Sequence, residues 1–286
     1  MNAPFEAEKF KSAMREQWDK HAKGWNDHGA QIAAWLREPT DAMLAMAEVA
    51  AGARVIDVAA GAGDQTLAIA KRVGATGSVL ATDLSPAILA FTKENARQAH
   101  CGNVDTKVAD GENLNVQDGA FDVAICRLGA MFFPDPGRGF REMFRVLKSG
   151  ARACTMVFST PQMNPCVSIL VGTALKHAGL PPRDPYQPGG LLSLGKPGLI
   201  DELFREAGFA RVATTRVMAP FRLPSVEDYL DFVRTSASPI LQILGRLGAA
   251  ERDAAWAEIR AKLGAFNTPA GWEGPNELLL TVGHRP

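Results

Sequence analysis

One stretch constrains the fold of this chain more than any other: VIDVAAGAGDQTLAIAKR, residues Val55 to Arg72. An apolar run closes on Asp57, a turn follows through Gly61 and Gly63, and apolar positions then recur at helical spacing. A strand buried on both faces reads as a continuous apolar run, and a tight turn into a helix leaves bare N–H groups at the helix start. Such a unit needs parallel neighbours, joined by crossover helices, to bury its strand.

The neighbours follow. SVLATD (78 to 83) precedes a helix with Ser85 as N-cap and Pro86 at its first position. NVDTKVAD (103 to 110), AFDVAICRL (120 to 128) and ARACTMVFS (151 to 159) continue the series, with the helix GFREMFRVLKSG between the last two. PGLIDELFREAGF and ARVATTRVMAPF add a helix and a strand, and NELLLTVGHRP (276 to 286) is a final, antiparallel strand. The alternation predicts an α/β fold, a doubly wound, mostly parallel sheet of seven strands.

Ahead of this core, Phe10, Met14, Trp18, Ala22, Trp25, Ile32 and Trp35 mark an amphipathic helix that should break near Gly24 or Gly29. A further helix is expected over residues 41 to 50, capped by Thr40. The chain divides into a helical cap (1–50), a core (51–160), a proline-rich lid (161–196), more core (197–222), a helical insertion (223–270) and a last core strand (271–286).

Charge narrows the function. With 31 basic and 31 acidic residues there is no net field to draw nucleic acid or anionic lipid, so a small molecule is the expected partner. No apolar run approaches the roughly 20 residues of a bilayer span, and the N-terminus lacks a signal-type apolar core, so a cytoplasmic location is expected. The 4 cysteines show no CxxC and the 5 histidines no HxxxH or HExxH, so neither a disulfide frame nor a metal site is expected. No residue pattern fixes an oligomeric state.

Ligands of doubly wound sheets bind at the carboxyl ends of the strands, where the strand order reverses. A dinucleotide site wants GxGxxG; here Gly61 and Gly63 fit, but Thr66 stands at the third position and Asp64 opens the helix that a pyrophosphate would need. Asp83 suits ribose hydroxyls in either case. VADGENL places Asp110, Gly111 and Glu112 at the third strand end, where a carboxylate and a backbone N–H suit an adenine edge. Three acidic strand ends, Asp57, Asp83 and Asp110, favour a cationic cofactor, S-adenosyl-L-methionine, over an anionic one.

These segments resemble the class I S-adenosylmethionine-dependent methyltransferases, within them the ubiquinone/menaquinone C-methyltransferase-like group. VIDVAAGAGDQT is similar to that group's first motif, with Ala59 where most of the wider class has glycine. VLATDLSPAIL resembles its second motif, DGENLNVQDGAFDVAICRLGAMFFPDP its third and fourth, and REMFRVLKSGAR its fifth. WDKHAKGW (18 to 25) resembles its N-terminal aromatic signature, with Trp18 and Trp25 for the usual Phe and Tyr; Ser149 replaces a usual proline. The resemblance spans about residues 15 to 160 and implies a Rossmann-like methyltransferase. It implies that the backbone at Ala59, Gly61 and Gly63 approaches the methionine portion, that Asp83 binds ribose and that Leu84 packs on adenine. Asp110 and Glu112 would flank the adenine edge, Arg127 would stand near the methionine end, and Trp25 would close over it. The group's quinone substrate has no matching residues after 160 to carry it over.

Each candidate has a plainer reading: Asp57 can cap the loop beneath the cofactor, and Arg127 can anchor a structural carboxylate. His21, in the covering helix, is a candidate base, as are His177 and Tyr186 in the lid, with Arg127 the other candidate catalytic group. The insertions, rich in Leu, Met, Phe and Pro, suggest an apolar or aromatic substrate. The leading expectation is methyl transfer to its carbon or oxygen by in-line displacement. The alternatives are a non-methylating or structural S-adenosylmethionine-binding protein and an NAD-dependent oxidoreductase.

Overall fold

The computed structural model describes residues 6–236 and 238–286. Seven strands form one sheet: β1 (Arg54–Val58), β2 (Ser78–Asp83), β3 (Val104–Val108), β4 (Phe121–Arg127), β5 (Leu147–Phe158), β6 (Ala210–Met218) and, last in the chain, β10 (Glu277–His284). Between β6 and β10 lie β7 (Phe221–Leu223), β8 (Asn267–Thr268) and β9 (Gly271–Gly274), which make a second, three-stranded sheet. The large sheet runs β3-β2-β1-β4-β5-β10-β6. Its strands β1 to β5 pair in parallel, and β10 is antiparallel to both β5 and β6. This is the expected doubly wound, mostly parallel sheet. The order reverses between β1 and β4, which puts a crevice at their carboxyl ends.

The continuous apolar runs behave as buried strands should: Val55, Ile56 and Val58 of β1 and Ala124, Ile125 and Cys126 of β4 are fully buried. Helices α3 (Asp64–Val73), α4 (Pro86–Gln98), α5 (Pro136–Val146) and α7 (Leu199–Glu206) flank them. The Ser85 hydroxyl accepts from the Ile88 N–H at the start of α4, the cap that the Ser-Pro pair predicts. On the other side of the sheet, Phe140 of α5 packs on Phe204 of α7 with ring centroids 4.6 Å apart.

The cap breaks beside Gly29, one of the two expected glycines, and departs from the sequence reading at its second helix. Helix α1 (Ala7–Asp27) runs through Gly24, because the bare Cα of that glycine lies where a Cβ would strike the Thr235 carbonyl; the break comes at His28, before α2 (Gly29–Met46). Glycine there serves close approach rather than helix ending. Helix α2 then continues through buried Pro39 and Thr40 instead of restarting after them. Thr40 is no cap; its hydroxyl accepts from Arg127 of β4 at 2.8 Å.

The remaining helices cover the crevice: α6 (Pro165–His177), then α8 (Val226–Ser236), α9 (Ser238–Leu244) and α10 (Ala249–Leu263) between the strands of the second sheet. The small sheet was not legible as such, since β7 and β8 are 3 and 2 residues long. The whole segment from 219 to 276 leaves and rejoins the large sheet at residues paired across the ladder, Met218 and Glu277.

Candidate active site

A cleft opens at the carboxyl ends of β1, β2 and β4, roofed by α1 and extending under α6 and α8. It holds about 1530 Å³ with its mouth included. At the glycine-turn end the wall comprises Ala59, Gly61, Asp83, Leu84, Asp110 and Gly111; Arg127 and Trp25 also line it.

The turn is built from left-handed backbone. Ala59 has φ 56°, Gly61 φ 60° and Gly63 φ 93°. Without a side chain, Gly61 leaves the cleft wall bare: a Cβ there would lie 3.4 Å from the Trp25 indole nitrogen of α1. Trp25 meets Trp18 edge to face at 5.5 Å, and Trp18 meets Phe132 at 5.9 Å. An aromatic cover thus closes over the turn and keeps water from it.

Asp83 sits at the tip of β2. Its Oδ2 accepts from the Gly61 N–H and its Oδ1 from the Ser85 N–H, each at 3.0 Å. The Leu84 N–H also donates to this carboxylate, which has about four lone-pair sites, so some capacity remains toward the cleft. Burial pushes its pKa up to about 6, against the pull of those backbone donors.

Six of the sequence candidates lie elsewhere. Asp57 is fully buried beneath the turn, where Gln65 donates to it at 3.1 Å and Thr66 at 2.6 Å; it does not line the cleft. Desolvation raises its pKa to about 6 as well. Gly63 is the N-cap of α3, where a Cβ would lie 2.8 Å from Thr92; it shapes the turn from outside the cleft. Glu112 is 3% exposed, and both its oxygens are engaged, one by the Asp135 N–H at 2.7 Å and one by Lys11 at 2.6 Å. His21 turns away from the cleft toward α8, its Nδ1 bonded to the Thr235 carbonyl at 3.2 Å, and it lines a separate basic hollow with Lys20, Arg234, Arg246 and Arg252. A helix presents side chains all round, and only the side facing the turn, with Met14, Trp18 and Trp25, reaches the cleft.

Of the lid candidates, His177 pairs with Glu258 at 2.8 Å, and neither it nor Tyr186 lines the cleft.

Two residues outside the candidate ligand contacts shape the site. Lys11 of α1 reaches Asp110 Oδ2 at 2.7 Å as well as Glu112, pinning the roof to the third strand end. Its carboxylate partners and burial act on it in opposite senses, and its pKa is raised. Asp64, weighed only as an obstacle to pyrophosphate, pairs with Arg127 at 2.7 Å; the guanidinium is thereby held in the cleft wall between α3 and Thr40. The signal for Lys11 was its place one helical turn before Met14 on the inward face; nothing local marks its acidic partners, about 100 residues away.

Among the described residues no cluster of His, Cys, Asp or Glu could hold a metal ion, and no helix is long and apolar enough to cross a membrane. The cysteines are free, with burial raising Cys126, Cys154 and Cys166 to about 12.

Known proteins share this arrangement. Residues 33–170 match the model of the ubiE/COQ5 methyltransferase family. The ubiquinone/menaquinone biosynthesis C-methyltransferase UbiE of Idiomarina loihiensis is 38% identical over 111 residues, 38% of this chain and 44% of that protein, so under half of the relative's length is matched. The YcgJ protein of Bacillus subtilis shares the fold with TM-score 0.60 at 20% identity, over 87% of this chain and 98% of that one. So does the [4+2]-cyclase SpnF, with TM-score 0.56 at 22% identity over 87% and 81%. The likeness to the ubiE/COQ5 methyltransferase family is thus carried by residues 33–170, a little under half of the chain.

Proposed function

We propose that the chain binds S-adenosyl-L-methionine at the glycine turn and is a methyltransferase acting on carbon or oxygen of an apolar or aromatic small molecule. The observation that carries this reading is Asp83: a half-buried strand-tip carboxylate with spare lone-pair capacity in a cleft wall. A nucleoside diol is what such a group recognises. Asp83 would hold the ribose, with Leu84 and Ile88 against the base and Asp110 and Gly111 at its edge. The backbone of Ala59 and Gly61, under Trp25, would hold the methionine part. When bound, that cofactor supplies an electrophilic methyl group on a sulfonium, open to in-line displacement.

The chain's own part is positional. Trp18 and Trp25 exclude water; Arg127, fixed by Asp64 and Thr40, presents its remaining N–H donors to the cleft. A guanidinium has N–H donors and no acceptor, so Arg127 serves as a donor rather than a base. The apolar half of the cleft, with Trp35, Phe158, Leu170, Phe221 and Phe232, would bind the acceptor. The free, buried cysteines suit a reducing compartment, the cytoplasm.

Calorimetry with S-adenosylhomocysteine tests the first step. Micromolar binding is expected, weakened at least ten-fold in Asp83→Ala; a wild-type protein that binds none overturns the reading. The fold likeness to a [4+2]-cyclase favours one second reading, a protein that uses the same cleft without methylating. Methyl-labelled cofactor incubated with cell extract separates the two, since only a transferase labels an acceptor. A dinucleotide is disfavoured by Asp64, whose carboxylate stands in the first turn of α3.

A further inference from the structure

The apolar half of the cleft contains two buried polar atoms with no protein partner among the described residues. Tyr229 of α8 is 6% exposed, with its ring stacked on Trp272 at 4.5 Å and edge-on to Phe221 at 5.6 Å, and its hydroxyl hydrogen-bonds to none of them. Asn276, just before β10, is 3% exposed; its Nδ2 is turned back to the Gly274 carbonyl at 3.1 Å, which leaves Oδ1 unpartnered. Both residues line the cleft. They belong to one wall, because Phe221, against which Tyr229 packs, pairs with Gly274 in the small sheet.

Buried polar atoms are nearly always satisfied, so two orphans on residues that line one cavity call for a ligand that completes them. Their surroundings are rigid. Asn164 accepts from the Glu277 N–H at 3.1 Å and donates to the Glu277 carbonyl at 3.2 Å, fixing the backbone beside Asn276. Trp272 is in turn held by its indole N–H on the Leu263 carbonyl at 2.8 Å.

We infer that Tyr229 and Asn276 form a polar subsite that selects acceptors bearing a hydroxyl group on an apolar or aromatic body. The amide oxygen only accepts, whereas the phenol both donates and accepts. A hydroxyl can give its proton to Asn276 and take one from Tyr229. A carbonyl, ether or carboxylate has no proton to give, and leaves Oδ1 orphaned. The inference rests on the proposed function in taking this half of the cleft as the acceptor site. Neither residue lies in the segment matched to the family, so the preference is this chain's own.

Naphthol and naphthalene, alike in apolar bulk and different by one hydroxyl, are the probes. Binding is read by quenching of tryptophan fluorescence, with S-adenosylhomocysteine affinity measured beside it. Naphthol should bind the wild type about ten-fold more tightly than naphthalene, and the preference should fall to about two-fold in Tyr229→Phe and in Asn276→Leu. Unchanged S-adenosylhomocysteine affinity in Tyr229→Phe shows that the fold is intact. A preference that survives Tyr229→Phe, or a wild type that binds neither probe or both equally, overturns the subsite. A preference that behaves as expected in a protein without affinity for S-adenosylhomocysteine overturns the proposed function and leaves the subsite standing.

Discussion

Ala59 holds a left-handed conformation that costs an L-residue about 1–2 kcal/mol, at the first position of the glycine turn. The methyl group that comes with it needs space, and Gly129 provides it: a Cβ on Gly129 would collide with the Ala59 Cβ. The two positions therefore act as a pair. Gly129→Ala should destabilise the protein by about 1–3 kcal/mol through overpacking, and most of that loss should be recovered when Ala59→Gly is added. Urea denaturation of the two single variants and the double variant measures the coupling, and strictly additive effects would show that the pair is independent. Asp57 carries the opposite lesson about single residues. A strand-tip acid can face out to a ligand or down onto the helix that follows, and its own position in sequence does not say which. Gln65 and Thr66, one turn into that helix, decide it here by taking both oxygens. Their side chains are the available signal for the plainer reading of Asp57, an acid that anchors the turn from beneath.

Helix α1 joins the cap to the core through a small number of polar contacts over an aromatic floor. Lys11 bridges Asp110 and Glu112, while Asp19 accepts from the Ser85 hydroxyl at 2.5 Å and from the Ala87 N–H at 3.2 Å. Lys11 is the tie that itself lines the cleft. Lys11→Met keeps the apolar stem and removes the charge. It should leave Glu112 buried beside the Asp135 N–H with no cation and loosen the roof, so that S-adenosylhomocysteine dissociates about ten-fold faster with a smaller change in association. Stopped-flow displacement checks this; an unchanged dissociation rate would mean that the aromatic contacts alone hold the roof. At this scale most of the sequence reading survives: the strands, the Ser85 cap and the antiparallel last strand all follow from local pattern. What local pattern could not carry was α2 running through Pro39, because the packing that keeps Pro39 buried in the helix, and the Arg127 donor that takes Thr40, come from residues distant in sequence.

For the molecule as a whole, Asp57 and Asp83 link stability to pH in an unusual direction. Burial raises both pKa values to about 6, above the ordinary carboxylate range. Between about pH 4 and pH 6 the folded protein therefore binds more protons than the unfolded chain, and stability falls as pH rises through that window. Each shift of about two pK units corresponds to about 3 kcal/mol. Asp57→Asn removes one of the two groups while keeping an acceptor for Thr66, so its denaturation midpoint should fall less than that of the wild type between those pH values; parallel profiles would refute the assignment. The site divides in the same way as its legibility. The proposed nucleoside half lies on strands whose turns and acids can be read in order along residues 54 to 128, whereas the proposed acceptor half is assembled from α2, α6, α8 and the small sheet, whose meeting no local pattern announces. That second half also has an unusual way in and out. Because Met218 and Glu277 face each other across one ladder, the 58 intervening residues hang from a two-stranded stem like a cartridge in a socket. Swapping the cartridge would leave the stem's hydrogen bonds in place, so a lineage could trade one acceptor for another by recombination at a single joint.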